Sequence, residues 1–145
     1  MILGIEAANI KHGGGVTHLK ELLKAMNPIP AGFSKIILWS NQKTLNLIEN
    51  QPWLEKVKEP LLDKSLIYRI FWQRYKLTKA AKDLKCDLLF VPGGSYIGSF
   101  RPFVTMSRNL LPFEWRELRR FGFSWLTIKL IMLRFTQAES FKKSD

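Results

Sequence analysis

Residues 9–23 read NIKHGGGVTHLKELL, and the three glycines between an apolar stretch and a helical pattern decide how the chain is built. Gly13, Gly14 and Gly15 follow the apolar opening MILGI, and beyond them Val16, Leu19, Leu22, Leu23 and Met26 recur at the three- and four-residue spacing of one helix face. A strand, a glycine turn and a helix make the first part of a βαβ unit. Pro28 and Pro30 end that helix, because proline lacks the N–H that a further turn needs. One glycine would satisfy a positive φ. Three also strip side chains from the place where a helix directs its N–H groups and positive dipole end, which is the chemistry of an anion site.

Outward from this stretch, apolar runs at 2–5, 35–40, 87–92 and 103–106 predict buried strands, with further helices from about 44 to 49 and from about 63 to 85. The alternation predicts an α/β, Rossmann-like parallel sheet with helices on both faces, folded as a single domain over residues 1–145. Ligands of such sheets sit at the carboxyl ends of the strands. That edge receives the glycine loop, the segment PGGSYIGS (92–99) and the segment SRNLLPFEW (107–115). On the long helix, Ile67, Ile70, Leu77, Ala81 and Leu84 fall on one face, expected to be inward, with Lys64, Arg69, Arg74, Lys76, Lys79 and Lys82 around the rest, read as the solvated outer face of a sheet-covering helix or as a contact for acidic lipid or another polyanion.

The charge balance is unusual: 23 Lys and Arg against 12 Asp and Glu give a net charge of +11, which favours polyanionic partners such as nucleic acid, acidic membrane surface or phosphorylated substrates. Cys86 is the only cysteine, so no internal disulfide is possible; beside the apolar run DLLFV it reads as a reduced core thiol suited to a cytoplasmic setting. The opening residues lack the basic n-region and cleavage site of a secretory signal. The segment FGFSWLTIKLIMLRF (121–135) is interrupted by Lys129 and Arg134 and is shorter than the roughly 20 apolar residues of a spanning helix. Its apolar residues nevertheless cover more than one sheet face requires. It is therefore expected at an interface, either with further polypeptide or, with Lys129 snorkelling, with acidic lipid at the inner face of the cytoplasmic membrane.

Several familiar motifs fail. His12 with the glycines spells the HGGG of lipase oxyanion loops, yet Gly93-Gly94-Ser95-Tyr96-Ile97 is no nucleophile elbow and no histidine follows His18. The dinucleotide fingerprint fails because His18 stands where its third glycine belongs, and no Gly-Lys-Ser/Thr marks a P-loop. Two histidines and one cysteine predict no metal site.

In order and spacing, EAANIKHGGGVTHLKELL, CDLLFVPGG and SRNLLPFEW together resemble the N-terminal domain of retaining GT-B glycosyltransferases of family 4, also called group 1. The resemblance spans nearly the whole chain. It implies the N-terminal, acceptor-side half of a GT-B fold, with a nucleotide-sugar as donor substrate, no cofactor, and a lipid-linked or cell-surface saccharide as acceptor. Gly13, Gly14 and Gly15 match the loop against the donor's diphosphate or transferred sugar, and Asn109 matches a strand-end polar position at the reaction centre; capping of the next turn is its structural alternative. His18, Gly93, Gly94 and Arg108 are the acceptor-side rim. The family holds the nucleotide-sugar chiefly in a second domain carrying an E-x7-E motif, and no segment here corresponds to it. A separate C-terminal donor domain is then required for transfer. The competing reading is a non-catalytic basic Rossmann-like module binding nucleic acid or another polyanion, which lacks any helix-turn-helix, RRM or KH signature in its support.

Overall fold

A computed structural model describes residues 1–107, 111–120, 122 and 124–144. The chain forms β1 (Ile2–Glu6), α1 (Gly14–Ala25), β2 (Lys35–Ser40), α2 (Gln42–Leu47), β3 (Leu54–Lys58), α3 (Pro60–Asp63), α4 (Leu66–Phe71), a π-helical turn (Trp72–Lys76), α5 (Leu77–Asp83), β4 (Leu88–Val91) and β5 (Phe103–Thr105), then a 3₁₀ turn (Leu111–Phe113), α6 (Trp115–Arg120) and α7 (Trp125–Lys143). The five strands make one sheet in the order β3-β2-β1-β4-β5, and every neighbouring pair is parallel. This is a Rossmann-like α/β fold, and the chain direction across the sheet reverses between β1 and β4.

Period-two alternation along the strands builds two cores. Leu3, Ile5, Ile36 and Leu38 meet Val16, Leu19 and Leu23 of α1 and Leu45 of α2 on one face. Ile37, Trp39, Leu89, Val91 and Phe103 meet Leu62, Trp72, Leu77 and Ala81 on the other. Gly4 belongs to this second face. A Cβ there would stand 2.8 Å from the Trp39 ring and 3.2 Å from the Cys86 Sγ, so the glycine makes room for an indole. Trp39 in turn packs on Trp72 with ring centroids 6.3 Å apart. Cys86 is buried here, and burial, followed by the nearby Asp87 and Glu55 carboxylates, pushes its thiol up to about 11, as befits a core thiol.

Two expectations need correction. Residues 54–58, LEKVK, form a fifth strand that the apolar runs do not reveal, because an edge strand pairs on one side only and tolerates charged side chains. The long helix is also broken at Lys64–Ser65 and widened by the π turn, so α4 presents Ile67 and Ile70 outward, 76% and 47% exposed, while Trp72 and Gln73 turn inward. Leu77 and Ala81 are buried as expected. Helix α7 runs well beyond the expected end, and no described helix is long and apolar enough to cross a membrane.

Candidate functional site at the reversal of the sheet

The loop joining β1 to α1 leaves the sheet where its direction reverses, and buried polar groups hold its stem from both sides. From β2 and α2, Ser40 Oγ donates to the Ala7 carbonyl at 3.1 Å, while Asn41 Nδ2 and Thr44 Oγ1 donate to the Ile10 carbonyl at 3.1 and 2.9 Å. From α4, an Arg69 Nη donates to the Ala8 carbonyl at 3.4 Å and to Asn9 Oδ1 at 3.0 Å. Residues 7–10 are thereby fixed, and His12, Gly13 and Gly14 emerge exposed from an anchored base.

The glycines divide the work. Gly13 has φ +65° and sits at the N-cap of α1, a conformation that side chains resist. Gly14 and Gly15 are already the first helical residues, so the three-residue loop of the sequence reading is a one-residue turn and a helix start. A Cβ on Gly13 or Gly14 would meet nothing within 4 Å. No packing demand accounts for glycine at Gly14. The helix starts without a side chain at either residue, with no side-chain cap from Gly13 and no acid in its first turn.

Beneath this loop lies Glu6, fully buried at the carboxyl end of β1. Its carboxylate accepts from the Ala8 N–H at 3.0 Å and from Gln73 Nε2 at 3.0 Å. The same Gln73 Nε2 lies 3.3 Å from the Ser95 carbonyl, and Gln73 Oε1 accepts from the Ile97 N–H at 3.3 Å. One glutamine therefore ties the stem of the glycine loop to the loop after β4. Burial pushes Glu6 up to about 7, against the opposing pull of the Ala8 N–H, Gln73 and the Arg69 charge. Burial also lowers Arg69, opposed by Glu6. The buried Arg69 Nε has no hydrogen-bond partner among the described residues. Lys11 is lowered as well, by burial and then by Arg69 and Lys43, with Asp63 opposing. The rim is thus a positive field over a buried carboxyl.

The rim residues expected from the sequence are only partly brought together. Gly93 lies against the glycine-loop stem, since its Cβ would fall 3.6 Å from Asn9 Cβ. Gly94 has a packing reason: its φ is +78° and a Cβ would stand 2.9 Å from Gln137 Nε2 of α7. Its glycine therefore lets α7 close on the loop, where Ser140 Oγ also accepts from the Tyr96 N–H at 2.8 Å. His18 is exposed one turn into α1. Arg108 and Asn109 lie outside the described residues.

Glu6, Arg69 and Gln73 were not singled out by sequence. An acid closing an apolar strand was the available signal, and Arg69 and Gln73, four residues apart, share a helix face. A separate open cleft of about 600 Å³ lies between α2 and the edge strand, lined in part by Gln42, Asn46, Lys56 and Lys58. Compared with protein-family models, with curated proteins and with solved structures, the chain finds no match.

Proposed function

We propose that this chain is the acceptor-side half of a GT-B glycosyltransferase, working with a donor-binding domain to move a sugar from a nucleotide-sugar to a lipid-linked or cell-surface saccharide. The observation that carries the reading is that the stem of the glycine loop lies against the residue 93–97 loop at the sheet reversal, Gln73 bridging Glu6 to Ser95 and Ile97, and that α1 starts from this loop with no side-chain cap at Gly13. Negative charge grows on the leaving diphosphate as the glycosidic bond breaks, so fixed N–H dipoles and cations at that place stabilise the transition state. Helix α1 supplies the dipoles. Arg69 and Lys11 supply positive field. Asn109, matched by resemblance, is assigned to the reaction centre.

The nucleotide is left to the donor domain, so the chain alone should neither turn over nor bind a nucleotide-sugar tightly. The test is transfer of labelled sugar to lipid-linked saccharides by the chain alone and by the chain joined to a family 4 donor domain. Transfer by the joined protein only is the expected result. Robust turnover by the 145-residue chain alone would overturn the division of labour. A folded, donor-binding joined protein that transfers nothing to any acceptor would overturn the reading itself.

A further inference from the structure

The outward turn of α4 leaves an apolar face with no covering element among the described residues. Leu66, Ile67, Tyr68, Ile70, Phe71 and Tyr75 are all between 46% and 76% exposed, on a helix whose other side is anchored by fully buried Trp72 and Leu77. Phe71 and Tyr75 rings lie 5.2 Å apart, and the Lys64 ammonium sits 4.9 Å from the Tyr68 ring centroid. Scattered exposed apolar residues are ordinary; six within three successive turns are a patch.

The charges around the patch say what covers it. Between Lys64 and Lys82 the sequence holds six Lys or Arg and no Asp or Glu. Lys64, Arg74, Lys76, Lys79 and Lys82 are exposed, and the nearest acids along the chain, Asp63 and Asp83, lie at the two ends of the segment. A phosphate-tracking surface for nucleic acid needs the cations but gains nothing from Ile67 and Ile70. An anionic bilayer uses both, because the aliphatic tips enter the acyl boundary, the tyrosines sit at headgroup depth and the lysines meet phosphate. Helix α7 also exposes an apolar stripe, Trp125, Ile128, Met132 and Phe135 at three- and four-residue spacing, but Glu139 continues that stripe and puts an acid where an anionic surface would lie.

We propose that the continuous helix from α4 through α5 docks flat on an anionic lipid surface, with Ile67, Ile70, Phe71 and Tyr75 inserted and Lys64, Arg74, Lys76 and Lys79 on headgroups. Arg69, on the opposite side of α4, holds the glycine-loop stem, so docking places the rim beside the bilayer. The inference does not depend on glycosyl transfer, and its test requires no turnover.

Sedimentation with vesicles of phosphatidylcholine containing about one-third phosphatidylglycerol, against pure phosphatidylcholine, tests it. The native chain should bind the anionic vesicles and fall by at least about tenfold in affinity between 50 mM and 500 mM salt. Ile67→Glu with Phe71→Glu should also lose at least about tenfold. Both positions are exposed, so the fold should persist, and hydrogen exchange of the native chain should show protection of residues 66–76 on vesicles without recourse to any variant. Met132→Glu with Phe135→Glu on α7 should bind as the native chain does. The proposal is overturned if the native chain ignores anionic vesicles at 50 mM salt, if the α7 pair abolishes binding while the α4 pair does not, or if the face is instead protected by duplex RNA or by self-association.

Discussion

Helices α1 and α4 carry the same kind of apolar periodicity and meet opposite fates. In α1 the residues Val16, Leu19 and Leu23 are buried against Leu3, Ile5, Ile36 and Leu38, with Leu22 and Met26 half-covered at the margin. In α4 no residue is buried, and the helix is held instead by Trp72, Gln73 and Leu77 of the turns that follow. Periodicity shows that a helix has an apolar face. It does not show what covers that face, and a break at Lys64–Ser65 followed by a π turn is enough to rotate it away from the sheet.

The largest effect that sharpens this contrast is at Trp72. Trp72→Ala removes a 1%-exposed indole packed on Trp39 and should destabilise the fold by about 3–5 kcal/mol, whereas Ile67→Ala, one turn earlier, should change it by less than about 0.5 kcal/mol. Urea unfolding measures both. A large loss at Ile67 would mean that α4 packs as α1 does.

Gln73→Ala comes next. It leaves the Glu6 carboxyl and the Ile97 N–H without their shared partner and should cost about 1–3 kcal/mol. Faster hydrogen exchange at Ile97, with exchange in β2 unchanged, would show that the bridge between the two loops has been lost.

The pH dependence runs opposite to ordinary acid denaturation. Glu6 holds its proton up to about 7 in the folded chain, while an unfolded glutamate loses it near 4.3. Between those values the folded state binds more protons, so this group's contribution to stability falls as pH rises from about 4.5 to 7. Urea midpoints at pH 5, 6, 7 and 8 should show that decline, and Glu6→Gln should flatten it. A native profile that rises through this window and is unchanged by Glu6→Gln would remove the buried acid from the account.

Smallest of all in stability is Gly14→Ala. The added Cβ meets open space at a helical φ, so unfolding should range from unchanged to about 1 kcal/mol more stable; Gly13→Ala, at φ +65°, should instead be destabilised by about 1 kcal/mol. Equal effects at the two positions would mean that the turn is not built as described.

Much of the architecture was legible because strands β1, β2, β4 and β5 are apolar runs, and βα alternation implies a parallel sheet. The edge strand was hidden by Glu55, Lys56 and Lys58, which a one-sided strand can afford. The glycine stretch was legible as a strand-to-helix turn, yet only the backbone separates Gly13, which needs its φ, from Gly14, which does not. The Glu6–Gln73 bridge joins residues 67 apart. No local pattern announces such a pair, and the sequence offered only an acid at the end of an apolar strand.

The central claim is that the α1 N-terminus and the residue 93–97 loop form one anion-facing rim. It is tested most directly by titrating the isotope-labelled native chain with a nucleoside-diphosphate sugar at low salt and following amide shifts. The account predicts weak binding, with Kd on the order of millimolar. Shifts should gather at Asn9, Gly13, Gly14, Gly15, Gly93 and Ser95, and Gly14→Val should abolish them while the fold persists. No shifts at all, or shifts confined to the cleft lined by Gln42, Asn46, Lys56 and Lys58, would contradict it.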